Sequence, residues 1–197
     1  MPPVAPMLAK AVHDLGELPP GDYVYEPKWD GFRCIVFRDG DEVVLGSRND
    51  RPLTRYFPEL LAPLRATLPA KCVVDGELVV ASGGRLDFDV LSQRIHPAAS
   101  RVDRLARETP AAFVAFDVLA VDGDDLTGCS FAERRGVLAG LASRFTAPVH
   151  LTPSTLDPSL AADWFGRFEG AGFDGVMAKP PALPYLPDKR VQFKVKH

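Results

Sequence analysis

The sequence predicts an α+β fold, with largely antiparallel sheets and flanking helices. Three observations carry this. Apolar, β-branched runs come in adjacent pairs split by turn residues, as at 32–38 and 42–48 around Asp39-Gly40-Asp41. Helical spacings fall between such pairs instead of alternating regularly with single strands, which disfavours a βαβ wind. The 197 residues suit one domain with a sizeable core.

In chain order, residues 1–20 read as an irregular lead-in, punctuated by Pro2, Pro3, Pro6, Pro19 and Pro20. After the hairpin, Leu60, Leu61, Leu64 and Leu68 give helical spacing over 57–68, with Pro58 near the first turn. Residues 72–81 read as a strand interrupted by Asp75-Gly76-Glu77, and 88–95 as a short helix. A buried strand over 112–121 ends in the turn Asp122-Gly123-Asp124. Ser130 followed by Glu133 is a capping-box pattern opening a helix over 130–143. An amphipathic helix over 160–171 stops at Gly172, and 175–179 and 191–196 are the last strands.

Composition narrows the class. With 46% hydrophobic and 25% charged residues, the chain resembles ordinary globular domains. No apolar run approaches the ~18 residues of a membrane span, and the N-terminus does not read as a signal peptide. Cys34, Cys72 and Cys129 form no CxxC pair, so they read as reduced core residues of a cytoplasmic protein. A net charge of −3 argues against a general nucleic-acid glue, yet Lys189, Arg190, Lys194 and Lys196 cluster near the end.

The candidate chemistry lies in charges that interrupt apolar strands: Lys28, Asp30, Arg48, Asp75, Glu77, Asp117, Asp174, Lys179, Lys194 and Lys196. Strand interiors tolerate a charge when it is paired or faces a site. Lys28-Trp29-Asp30-Gly31-Phe32-Arg33 sets a lysine beside a turn and a guanidinium suited to phosphate or carboxylate. Period-2 geometry puts Asp75 with Glu77 on one face, a pair of carboxylates for a divalent cation, and Lys194 with Lys196 on another, suited to polyphosphate. A lysine nucleophile must shed a proton near neutral pH, and surrounding cations and a bound metal favour the neutral amine. There is no GxxxxGK[ST] loop, so phosphate binding of the P-loop kind is not expected.

Taken together, these motifs resemble the adenylation domain of ATP-dependent DNA ligases, within the covalent nucleotidyltransferases that include RNA ligases and capping enzymes. Lys28–Arg33 resembles the first motif, Ser47-Arg48-Asn49 the next, and Asp75-Gly76-Glu77 the third. FVAFDVL over 113–119 resembles the stretch whose aromatic stacks on the base. Residues 174–179 and 192–196 resemble the fourth and fifth motifs. The resemblance, nearest to bacterial class C and class D repair ligases, covers Pro6 to Lys196. It implies the covalent nucleotidyltransferase fold and an enzyme using ATP with Mg²⁺ or Mn²⁺. Lys28 would be the adenylated residue, with Glu26, Arg33, Arg48, Glu77, Phe116, Lys179, Lys194 and Lys196 on the nucleotide, and Glu77 and Asp174 on the metal. Implied partners are nicked double-stranded DNA, an OB-fold domain of the same full-length protein and DNA repair proteins, with the protein a monomer away from membranes.

Two departures from the pattern matter. The fourth motif begins with Asp174 where family members usually carry Glu, one methylene longer. The chain also stops after the fifth motif, where family members continue into the OB-fold domain; it reads as either an excised catalytic domain or a natural minimal form, and the end on a strand favours excision. Blander readings stay open for single residues. Each Asp-Gly is an ordinary turn by itself, Phe116 is an ordinary core aromatic, and Lys194 and Lys196 are an edge strand's solvated charges. Arg51, Arg55, Arg101, Arg104 and Arg107 either track a DNA backbone or sit on exposed helix and loop. Glu26 suits the exocyclic amine of adenine and the N–H groups of guanine alike. An RNA ligase, a capping-type enzyme and a non-catalytic module binding nucleotide or DNA ends remain the alternatives.

Overall fold

Strand pairs, turns and helix caps assemble in the order the local sequence signals suggest. The computed structural model describes residues 4–49 and 51–197. Strands β1 (Leu8–Val12), β2 (Val24–Lys28), β3 (Phe32–Asp39) and β4 (Glu42–Ser47) precede helix α1 (Leu61–Thr67) and β5 (Lys71–Val79). A small hairpin, β6 (Ala81–Ser82) and β7 (Arg85–Leu86), leads to helices α2 (Phe88–Ser92) and α3 (Ala99–Glu108). Then come β8 (Ala112–Val121), β9 (Asp124–Asp125), α4 (Phe131–Ala142), β10 (Val149–Leu151), α5 (Pro158–Phe168), β11 (Gly175–Lys179) and β12 (Arg190–Lys196).

Two main sheets result. One runs β10-β8-β5-β3-β4, with β9 added to β8, and the other runs β1-β12-β11-β2. Antiparallel pairing dominates, while β1 with β12 and β10 with β8 are parallel. One face of the larger sheet buries Cys34, Val36, Val74 and Leu78 against Phe57, Leu60, Leu64 and Leu138. Its other face packs Ile35, Val73 and Leu119 on Met7 and Tyr185. The smaller sheet turns Tyr25, Val176 and Ala178 toward Ala161, Trp164 and Phe165, around α5. Alternate residues of that sheet therefore point away from α5, into the cleft between the sheets.

Several local expectations hold. Asp39 pairs with Glu42 across the β3–β4 turn, where Gly40 takes φ +60°. Ser130 and Glu133 form the reciprocal capping box of α4. Others need correction. The lead-in is not irregular throughout: Leu8–Val12 is a strand, and its partner β12 lies at the far end of the chain, beyond any local signal. Pro2 and Pro3 lie outside the described residues. The helix expected over 57–68 opens as a 3₁₀ turn at Pro58–Leu60 before α1, and that expected over 88–95 ends at Ser92. Strands β2 and β10 and helix α3 were not foreseen.

Candidate active site

Register across the smaller sheet builds the centre of the cleft. On β11, Gly175 lies opposite Lys28 of β2 on one side and Lys196 of β12 on the other. Two lysines thus flank a residue without a side chain. Asp174, immediately before it, accepts from both: its Oδ2 is 2.5 Å from Lys28 Nζ and 3.1 Å from Lys196 Nζ. Burial would raise the Asp174 pKa, but hydrogen bonds and charge from Lys28 and Lys196 outweigh it and hold the carboxyl below its usual range. Only glycine fits at 175, because φ is +133° and a Cβ would lie 1.9 Å from the Val195 carbonyl oxygen. One step along, Met177 lies between Glu26 and Lys194. Partial burial, then the neighbouring ammoniums of Lys28 and Lys196, pull the Lys194 pKa down.

The larger sheet supplies the opposite wall of a cleft of about 740 Å³, lined by Lys28, Glu77, Phe116, Lys179 and Lys194 among others. Gly31 lets β3 begin against β5, since a Cβ there would lie 2.1 Å from the Leu78 carbonyl oxygen. Arg33 directs Nε and one terminal nitrogen to Asp75 at 2.5 and 2.6 Å, and its guanidinium lies 4.7 Å from the centre of the Phe116 ring. Asp75 is fully buried and also accepts from the Tyr185 hydroxyl at 2.6 Å. Lys179 stands 4.6 Å from the same ring centre and 2.5 Å from Glu26 Oε2. Trp29 packs on Phe173 and donates its indole N–H to the Thr152 hydroxyl at 2.8 Å, bracing both loops beside Lys28.

Among the described residues, Glu77 is a cleft carboxylate that makes no ion pair. Burial pushes its pKa up to about 7, against the pull of Arg33 and Lys28. Among the described residues, no three His, Cys, Asp or Glu side chains gather as a metal cage. Glu77 still fits a Mg²⁺ shared with substrate phosphates, which needs only one or two carboxylates. Asp174 does not fit that role while two lysines hold it. The joint metal reading of Asp75 and Glu77 also fails, because Asp75 is spent on Arg33 and Tyr185.

A family model described as the ATP dependent DNA ligase domain matches residues 6–196. The chain belongs to that family. It is 58% identical to DNA ligase C of Mycobacterium tuberculosis over all of its own length and 55% of that protein. It is 33% identical to the multifunctional non-homologous end joining DNA repair protein LigD of the same species, covering 98% of the chain and 24% of the relative. A solved mycobacterial DNA ligase D complexed with ATP and MES superposes with a TM-score of 0.76 at 31% identity, covering 98% of this chain and 60% of that one. The chain spans about half the length of the DNA ligase C relatives it matches. The fold is therefore that of DNA ligase nucleotidyltransferase domains, as the motifs implied.

Within this ligase fold, Glu26, Lys28, Arg33, Glu77, Phe116, Lys179 and Lys194 line one cleft, and Lys196 and Asp174 meet Lys28 at its end. Arg48 sits exposed at the rim. Arg33 faces Phe116 and pairs with Asp75, so its guanidinium is not a free fork in the cleft. Sequence reasoning missed Arg135, Thr152 and Tyr185. Arg135 follows a second arginine, Arg134, among apolar helix neighbours, and Tyr185 lies in a proline-rich loop, so neither carried a local signal.

Proposed function

We propose that this chain carries out the adenylation chemistry of an ATP-dependent DNA ligase. Lys28 Nζ attacks the α-phosphorus of ATP; an N–P bond forms as the bond to the β-phosphate bridging oxygen breaks, and pyrophosphate leaves. The AMP held on Lys28 then passes to a 5′-phosphate at a DNA nick. The observation that carries this reading is the convergence of Lys28, Lys196 and Asp174 at one end of a cleft that also presents Phe116, Lys179 and Lys194.

The roles follow from position. Asp174 Oδ2, at 2.5 Å, is the nearest acceptor for a proton leaving Lys28 Nζ and fixes the amine's line of approach. Phe116 offers a ring for the base, and Glu26 lines the same cleft behind Lys179. Lys179, Lys194 and Lys196 meet the phosphates, with Arg48 closing from the rim. Glu77 would hold Mg²⁺ or Mn²⁺, which when bound neutralises charge building on the phosphates. Phosphoryl transfers of this kind draw on positioning and charge more than on covalent help from the protein.

Nicked DNA, an OB-fold domain elsewhere in the full-length protein and repair proteins are the partners this reading proposes. The test is label transfer from α-labelled ATP or GTP onto the protein. ATP should label it, GTP should not, and Lys28→Ala should abolish labelling; preferential labelling by GTP would turn the reading toward a capping-type enzyme.

A further inference from the structure

Glu26 is 1% exposed, and two cations from different elements share it. Its Oε2 accepts from Lys179 Nζ of β11 at 2.5 Å, while its Oε1 lies 3.5 Å from a terminal nitrogen of Arg135 on α4. The other terminal nitrogen of Arg135 donates to the Thr152 carbonyl at 2.6 Å, which anchors the guanidinium beside β2. Burial pushes the Glu26 pKa up; Lys179 and then Arg135 oppose this, and the Asp117 charge adds to it. Both carboxylate oxygens thus face a cation, one from β11 and one from α4.

Lys179 is consequently not free as the cleft stands. It is 3% exposed, closed in by Glu26 and by the rings of Phe116 and Phe131. Resting on the proposed function, Lys179 must leave Glu26 to meet a nucleotide phosphate. Its departure would strand a buried carboxylate, which is costly unless a second cation closes in. Among the described residues, Arg135 is the other cation paired with Glu26, and its 3.5 Å separation leaves room to tighten. We propose that Arg135 is a positioning residue for phosphate binding: by taking over Glu26, it releases Lys179 to the triphosphate.

Calorimetric binding of inorganic tripolyphosphate, which has no base, tests this in the wild-type chain and three variants. Arg135→Met should weaken binding about tenfold, the scale of losing one favourable charge contact. Arg135→Lys, which keeps the charge, should stay within about threefold of wild type. Adding Glu26→Gln to Arg135→Met should restore binding to within about threefold, because no buried charge then detains Lys179. A structural role for Arg135 would not be rescued by a second substitution. In self-adenylation, Arg135→Met should raise KM for ATP and leave the maximal rate little changed. Should Arg135→Met melt too low to assay, Glu26→Gln alone decides: tighter tripolyphosphate binding than wild type supports the proposal, and unchanged or weaker binding overturns it. Wild-type affinity in Arg135→Met, or no rescue in the double variant, also overturns it. Failure of the wild-type chain to self-adenylate would count against the proposed function instead, so the two failures are distinct.

Discussion

Glu77 shows burial and charge opposing each other within one side chain. Its pKa of about 7 in the fold lies above the ordinary glutamate value, so the folded chain binds its proton more tightly than the unfolded chain does. Folding stability from this group is therefore fully present below the unfolded pKa and declines as pH rises toward about 7. Thermal melting of Glu77→Gln should lack that part of the decline; an identical pH profile in both proteins would remove Glu77 as its source. The same titration bears on activity, since a divalent cation needs the ionised carboxylate. Adenylation at limiting Mg²⁺ should rise through this window in the wild-type chain. Arg33 carries the opposite lesson: a motif arginine expected on the nucleotide is committed to Asp75 and braces Phe116.

At the scale of elements, the β2–β11–β12 register makes the site. Gly175 keeps the space between Lys28 and Lys196 open, so Gly175→Ala should be costly twice over, from its φ and from the clash with Val195. We expect a loss of about 3 kcal/mol or more in denaturant unfolding, together with loss of adenylation; a variant of wild-type stability would contradict the register. Elements with local signatures were legible in sequence: the β3–β4 hairpin by Asp39-Gly40 and α4 by Ser130 and Glu133, whereas α5 ends at Phe168 and Gly172, at φ +83°, closes the 3₁₀ turn Glu169–Ala171 that follows it. Elements defined by distant partners were not. β1 carries no turn or cap signal and exists by pairing with β12, and β10 is three residues long. The site followed the same rule. Residues in compact motifs were visible, whereas the Lys28–Asp174 contact, between residues 146 apart, and the Arg135–Glu26 contact, 109 apart, arise from packing alone.

Across the whole molecule, a chain of net charge −3 places Lys28, Lys179, Lys194 and Arg190 along a single cleft. Low-dielectric walls where cations outnumber Glu26 and Glu77 focus the field, so an acidic protein can still draw in a polyphosphate. The DNA ligase C relatives are about twice as long, and nick sealing takes a grip on duplex DNA as well as an adenylated lysine. The 197-residue chain alone should therefore form the lysyl adenylate and seal nicked duplex weakly; robust sealing by these residues would overturn that division of labour. Everything rests on Lys28 being the nucleophile. Intact-protein mass after incubation with ATP and Mg²⁺ measures this most directly: the account predicts a gain of one AMP in the wild-type chain and none in Lys28→Ala. An unchanged wild-type mass, or the same gain in Lys28→Ala, would contradict it.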